Sequence, residues 1–203
     1  VNARNLGTVA DRLAVLRPRR LESDVRIRAA VSLVLCEGAE DLRLLMIRRA
    51  ETEGDRWSGH IGFPGGRMEP SDADERATAE RECREELGLD LRAARPLGRL
   101  DDLGGTVESV RVSAFVYGVT TEPRLRPNHE VQQAFWRDLA DFEDPVHQLE
   151  RRFPYGDEML ELPALRVSEG EGPLLWGLSY RFLELLMGSI GRPIPAMQWR
   201  EDL

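Results

Sequence analysis

His60-Ile61-Gly62-Phe63-Pro64-Gly65-Gly66 and, further on, Arg81-Glu82-Cys83-Arg84-Glu85-Glu86-Leu87-Gly88-Leu89 are the two stretches that decide the fold of this chain. The first packs three glycines and a proline into seven residues, which marks constrained irregular backbone that something must approach closely. The second places Glu82, Glu85 and Glu86 at i, i+3 and i+4, so a helix carries all three carboxylates on one side, about one turn apart. Ala79, Cys83 and Leu87 form the adjacent apolar stripe. A helix over 72–88 is expected, with Ser71 as its cap, Asp72, Asp74 and Glu75 at the positive end of the dipole, and Gly88 as its stop.

Glu82 and Glu86 are like charges at i, i+4, a spacing that costs a few tenths of a kcal/mol in an isolated helix unless a cation intervenes. Carboxylates at this density suit a hard divalent ion, Mg²⁺ or Mn²⁺, which would complete its shell with water and phosphate oxygens. The competing reading is a solvated, salt-bridged face, because Arg76 with Glu80 and Arg81 with Glu85 are i, i+4 pairs of opposite sign.

Working outward, residues 28–36 and 42–48 are rich in Val, Leu and Ile and flank the turn-like 37–41, which reads as a hairpin. Further strands are expected at 96–100, Val110–Val119 and 131–136, a final amphipathic helix at 178–190, and short loops at 123–128 and 168–173. Strands and helices interleave, so the expected class is a mixed α/β sandwich. The 203 residues, 41% of them apolar, fit one domain over 1–203, with residues 1–25 as an N-terminal helical extension. In that extension Val9, Leu13 and Leu16 stand at helical spacing within 8–20, without the apolar block of a secretory signal. No stretch approaches the roughly 20 apolar residues of a membrane span, and a cytoplasmic location is expected.

The net charge of -8 argues against a general affinity for nucleic acid. All 28 basic residues are arginine, which excludes Schiff-base or other lysine chemistry. Cys36 and Cys83 have no metal-ligand spacing and read as buried thiols. His60, His129 and His147 are too scattered for a zinc site.

Phe63-Pro64-Gly65-Gly66 followed by the glutamate helix resembles the Nudix box of the Nudix hydrolase superfamily, carried here by Gly66, Asp72, Arg81-Glu82, Cys83, Glu85-Glu86, Gly88 and Leu89 over 66–89. Two features depart from the common pattern: Asp72 stands where Glu is usual, and eight residues, 73–80, separate it from Arg81 where seven are common. The longer gap with Asp also resembles the branch of the family that hydrolyses coenzyme A and its esters. Residues 44–49, Gly59 and 63–66, and later Leu162-Pro163-Ala164 and Leu175-Trp176-Gly177-Leu178, are similar to that branch outside the box, although Trp57 and His60 replace its usual histidine and glutamine.

The resemblance implies a Nudix-type α/β/α sandwich with a mixed sheet and a catalytic loop-helix. It implies Mg²⁺ or Mn²⁺ held by Glu82, Glu85, Glu86 and the Gly66 carbonyl, with Arg81 orienting the glutamates. A metal-activated water would attack one phosphorus of a nucleotide diphosphate, with a glutamate as base. Glu130 falls where relatives often carry a further acidic residue, as extra ligand or base, or else it is a surface glutamate. Arg48, Arg49, Arg56 and Arg67 flank the loop and could supply guanidinium contacts to phosphate, and Trp57 either stacks on a purine or packs in the core. The expected reaction is hydrolysis of coenzyme A or its esters to 3′,5′-ADP and a phosphopantetheine derivative. Alternative substrates are ADP-ribose, NADH, nucleotide sugars or nucleoside triphosphates, and a non-catalytic nucleotide sensor is the alternative of another class. Many members of that family are dimers, so the resemblance leaves a homodimer open, while the acidic balance and the lack of a long apolar stretch argue against nucleic-acid and membrane partners.

Overall fold

Apolar residues on both faces of two adjacent strands decide where the layers go. In the computed structural model, which describes residues 3–21, 25–52, 58–104, 110–155, 158–167 and 172–195, the chain opens with α1 (Leu6–Ala14), β1 (Ile27–Glu37) and β2 (Leu42–Arg49). It continues through β3 (Ile61–Gly62), β4 (Gly65–Arg67), α2 (Glu75–Leu87), β5 (Arg95–Arg99), β6 (Leu103–Gly104) and β7 (Val110–Val119). The last elements are β8 (Val131–Asp138), α3 (Leu139–Glu143), β9 (Gln148–Tyr155), β10 (Glu158–Arg166), β11 (Leu174–Trp176) and α4 (Gly177–Ser189).

β1 is the axis of the main sheet. It pairs in parallel with β7 from Ile27↔Val110 to Cys36↔Val119, while β4 (Ala29↔Arg67 to Val31↔Gly65) and β2 (Leu35↔Leu44 to Glu37↔Leu42) take successive parts of its other edge, antiparallel. The path β3-β2-β1-β7-β5 is completed by β8 on β2 and β6 on β7, and β11-β10-β9 form a separate antiparallel sheet.

Successive strand residues point to opposite faces. Leu33 and Leu35 of β1 and Leu44 and Met46 of β2 therefore join Leu6, Val9 and Leu13 of α1, Phe142 of α3 and Phe182, Leu183 and Leu186 of α4 on one side. Val34, Leu45, Ile47 and Tyr117 meet Cys83 and Leu87 of α2 on the other. The result is the α/β/α sandwich with a mixed sheet that the sequence leads one to expect. Each of these fully buried side chains contributes about 1.5–3 kcal/mol through its burial. Both cysteines are free and buried.

The structure differs from the sequence reading at several edges. The first helix ends at Ala14 and not at residue 20, since Arg17 precedes Pro18 and leaves helical backbone, and Val15 is exposed. Asp74, and not Ser71, caps α2 by accepting the Ala77 N–H at 2.8 Å, because Ser71 turns to Glu69 instead. The three-stranded sheet was not expected, since Pro154, Pro163 and a dense run of charges interrupt the alternation through 148–166. Part of the loop expected at 168–173 lies outside the described residues. Among the described residues no helix is long and apolar enough to cross a membrane.

Candidate active site

The site is assembled where β4 hands the chain to α2. The turn before the helix carries Asp72, whose Oδ2 accepts the Glu69 N–H at 2.9 Å and the Thr78 hydroxyl at 3.0 Å. So held, its two oxygens accept Arg81 Nε at 2.9 Å and Nη2 at 3.0 Å, a bidentate charge-assisted pair. The longer spacing between Asp72 and Arg81 is thus absorbed in the turn. Arg81 beside it, helped by the Glu69 N–H and the Thr78 hydroxyl against the opposing effect of burial, holds the Asp72 carboxyl down at about 2. The rest of the Arg81 fork is also engaged: Nη1 donates to Glu82 at 2.9 Å and to Glu85 at 3.0 Å, and Nη2 to the Arg67 carbonyl at 3.0 Å. The first turn of α2 is anchored separately, through Glu75, which accepts Arg28 and also Arg111 at 2.6 Å.

Glu86 is 1% exposed, and its Oε2 accepts the Gly65 N–H at 2.9 Å. Burial pushes its carboxyl up to about 8; the charges of Glu82 and Glu130 add to this, and the Gly65 N–H and Arg49 oppose it. Burial also raises Glu82, against Arg81, with Glu85 and Glu130 adding to the rise. Four carboxylates therefore share one electrostatic neighbourhood. Gly66 makes the approach possible: a Cβ there would stand 2.5 Å from Glu82 Oε1, so the carboxylate rests where a side chain would be. At Gly65 (φ 154) a Cβ would lie 2.3 Å from the Ala30 carbonyl, which keeps β4 tight on β1.

A loop without a motif completes the site. Arg126 N–H donates to the Leu87 carbonyl at 2.7 Å and Asn128 N–H to the Glu86 carbonyl at 2.8 Å, and Asn128 Oδ1 accepts the Glu130 N–H at 2.8 Å. These bonds fasten 126–130 to the C-terminal turn of α2 and set Glu130 beside the helix carboxylates. Glu130 is an expected site residue whereas Arg126 and Asn128 are not, because main-chain donors carry no side-chain signal; the Asx turn at Asn128 is the one trace of them in the sequence.

Glu82, Glu85, Glu86, Arg81, Gly66, Glu130 and Arg49 are thus brought together. Arg48 is not: the pairing of β2 with β8 shifts between Arg48 and Arg49, and Arg48 turns to Glu51 at 3.2 Å. Arg67 has an exposed side chain and contributes its carbonyl. Arg56 and Trp57 lie outside the described residues. Among the described residues, no three acidic, imidazole or thiol groups are gathered closely enough to hold an ion as they stand, since Glu82 and Glu85 turn to Arg81 and Glu86 to Gly65. The donors are hard oxygens, and their mutual repulsion is what a divalent cation would relieve, so the residues fit such an ion.

The fold and this loop-helix define a class. The NUDIX domain model matches residues 26–160, two thirds of the chain, and the chain belongs to that family. The mitochondrial coenzyme A diphosphatase NUDT8 of Mus musculus is 31% identical over 163 residues, covering 78% of this chain and 76% of that protein. An uncharacterized protein of Schizosaccharomyces pombe is 39% identical over 106 residues, 48% of this chain, and the chain spans only 32% of its length. Among solved structures, a MutT/nudix family protein from Enterococcus faecalis superposes with a TM-score of 0.55 at 16% identity, covering 84% of this chain and 70% of that one, a likeness of fold alone.

Proposed function

We propose that the chain hydrolyses the diphosphate linkage of coenzyme A or its esters, releasing 3′,5′-ADP and phosphopantetheine or its acyl derivative. The observation that carries this reading is the carboxylate group at the β4–α2 junction: Glu86 buried on the Gly65 N–H, Glu82 seated on Gly66, and Arg81 fixed by Asp72 between Glu82 and Glu85. Crowding acids around a buried carboxylate costs stability that a bound cation would offset. The choice of substrate is supported by the likeness to a protein named as a coenzyme A diphosphatase and by the residues outside the box.

The carboxylates of Glu82, Glu85 and Glu86, with the Gly66 carbonyl, would hold Mg²⁺ or Mn²⁺. When bound, the ion neutralises charge on the diphosphate and lowers the pKa of an attacking water. The rest of the work falls to the chain. Arg81 gathers Glu82 and Glu85 on one side of the helix, from which a bound ion would draw their oxygens. Glu130, exposed beside these acids, takes the proton from the attacking water. Arg49, whose charge is felt at Glu86, faces the phosphates.

The test is turnover with Mg²⁺ or Mn²⁺ of a panel holding coenzyme A, acetyl-coenzyme A, ADP-ribose, NADH, UDP-glucose and dGTP, beside Glu86→Gln. Dominant turnover of the coenzyme A compounds, reduced about 10³-fold or more in the variant, is expected. Preference for another member of the panel would move the substrate and keep the chemistry. Tight binding with no metal-dependent turnover would leave a nucleotide sensor.

A further inference from the structure

We infer that His60 and Trp176 together form the platform on which the nucleobase of the substrate stacks, an assignment that rests on the reading of the chain as a nucleotide diphosphatase. The two rings come from different sheets. His60 immediately precedes β3 and Trp176 ends β11; their centroids are 5.1 Å apart and their planes inclined at 63°, an edge-to-face contact that holds the indole in a fixed orientation. Both residues are half-buried. Beyond Trp176 the chain enters α4 through Gly177, whose φ of 61 gives the sharp turn into the helix.

The location ties this pair to the carboxylates. The His60 carbonyl accepts the Arg49 N–H at 3.0 Å, and the Glu130 carbonyl accepts the Ala50 N–H at 2.8 Å. His60 and Glu130 therefore flank the same end of β2, and Arg49 between them is the guanidinium nearest in effect to Glu86. From His60 the chain runs through β3 and Phe63-Pro64 directly to Gly65, the donor to Glu86. The aromatic pair and the groups that would face the diphosphate are thus carried on adjoining ends of β2 and β3. An indole face takes a nucleobase without hydrogen-bond readout, which suits a site that fixes an adenine-bearing half and leaves the other half variable.

The experiment uses the full chain and two readouts. Adenosine 3′,5′-bisphosphate is expected to quench the tryptophan fluorescence of the wild type, 4′-phosphopantetheine is expected to leave it unchanged, and Trp176→Phe should lose most of the response. In kinetics, Trp176→Ala should raise KM for coenzyme A about tenfold with kcat within about twofold, and Trp176→Phe should recover most of that loss. His60→Ala, which frees the indole without removing it, should raise KM by a few fold, and it decides the matter if Trp176→Ala does not fold. An equal quench in wild type and Trp176→Phe, or an unchanged KM in Trp176→Ala, would overturn the platform. Absence of turnover in the wild type would instead overturn the diphosphatase reading, and the fluorescence titration would still decide whether a nucleotide sits on these rings.

Discussion

Arg81 shows how one side chain can organise a site without holding the ligand. Its fork spans Asp72, Glu82, Glu85 and the Arg67 carbonyl, a set that lysine could not reproduce because a single ammonium lacks the planar donors. Asp72→Asn tests the anchor. The amide keeps the shape but loses the charge, so at neutral pH the variant should be less stable by about 1–3 kcal/mol. The sign of the pH dependence follows from Asp72 being held at about 2, below its ordinary 3.8: the stabilisation is complete above pH 3.8 and disappears as pH falls from there toward 2. Urea unfolding at pH 7, 5 and 3 should show a constant gap between wild type and variant at the first two values and a smaller one at the third. A gap that stays the same down to pH 2 would mean that Asp72 acts through shape and not charge. The three glutamates and Arg81 were legible because helical spacing is a local property of sequence. The Gly65 N–H that holds Glu86 was not, since a main-chain donor looks alike at every glycine.

The junction of β4 with α2 works as a unit because a glycine stands where the helix presses hardest. Gly66→Ala would put a methyl 2.5 Å from Glu82 Oε1, and the carboxylate must leave its seat. We expect metal-dependent turnover to fall about 10²-fold, the scale of an ångström-size misplacement, with near-native circular dichroism. Gly188→Ala near the end of α4, exposed and with open space around its Cβ, should leave turnover intact and raise stability by about 0.5 kcal/mol. Equal rates in the two variants would remove Gly66 from the site. The elements themselves differ in how far they could be read. Val110–Val119 matches its expected span because it is rich in valine and aromatic residues and lies along β1 throughout, and α2 lost only its first turn, to the turn in which Glu69 and Asp72 bond each other. The β9–β11 sheet escaped because its alternation is diluted by arginines, glutamates and prolines, and β10 and β11 pack on α4 through tertiary contacts that residue patterning does not display.

At the scale of the molecule, three distant segments are fastened by one guanidinium that no pattern announces. Arg192, 2% exposed and just beyond α4, donates Nη1 and Nη2 to Asp41 at 2.6 and 2.7 Å and Nε to Glu143 at 3.1 Å. Asp41 lies in the β1–β2 turn and also accepts the Ala140 N–H at 3.0 Å, so the hairpin, α3 and the end of α4 converge on a single ion cluster. Their separation along the chain, Asp41 from Arg192, is why sequence reading stopped short of it. Removing one partner of a buried ion cluster leaves the others uncompensated, a loss of about 3–5 kcal/mol. For a chain of this length that lowers the melting temperature by roughly 2–4 °C per kcal/mol, so Arg192→Met should melt roughly 6–20 °C below the wild type. Burial pushes the Asp41 carboxyl up, but the Arg192 pairing and the Leu42 and Ala140 N–H groups outweigh it and hold it below its ordinary 3.8. The stabilisation is therefore complete above that value, and the deficit of Arg192→Met should narrow as the solution is acidified below it. The triple variant Arg192→Met, Asp41→Asn, Glu143→Gln removes all the charge at once and should melt above Arg192→Met alone, since no acid is then left without its counterion. If differential scanning calorimetry instead gave the triple variant the lower melting temperature, the cluster would be holding these segments through its hydrogen bonds and shape, with charge compensation contributing little.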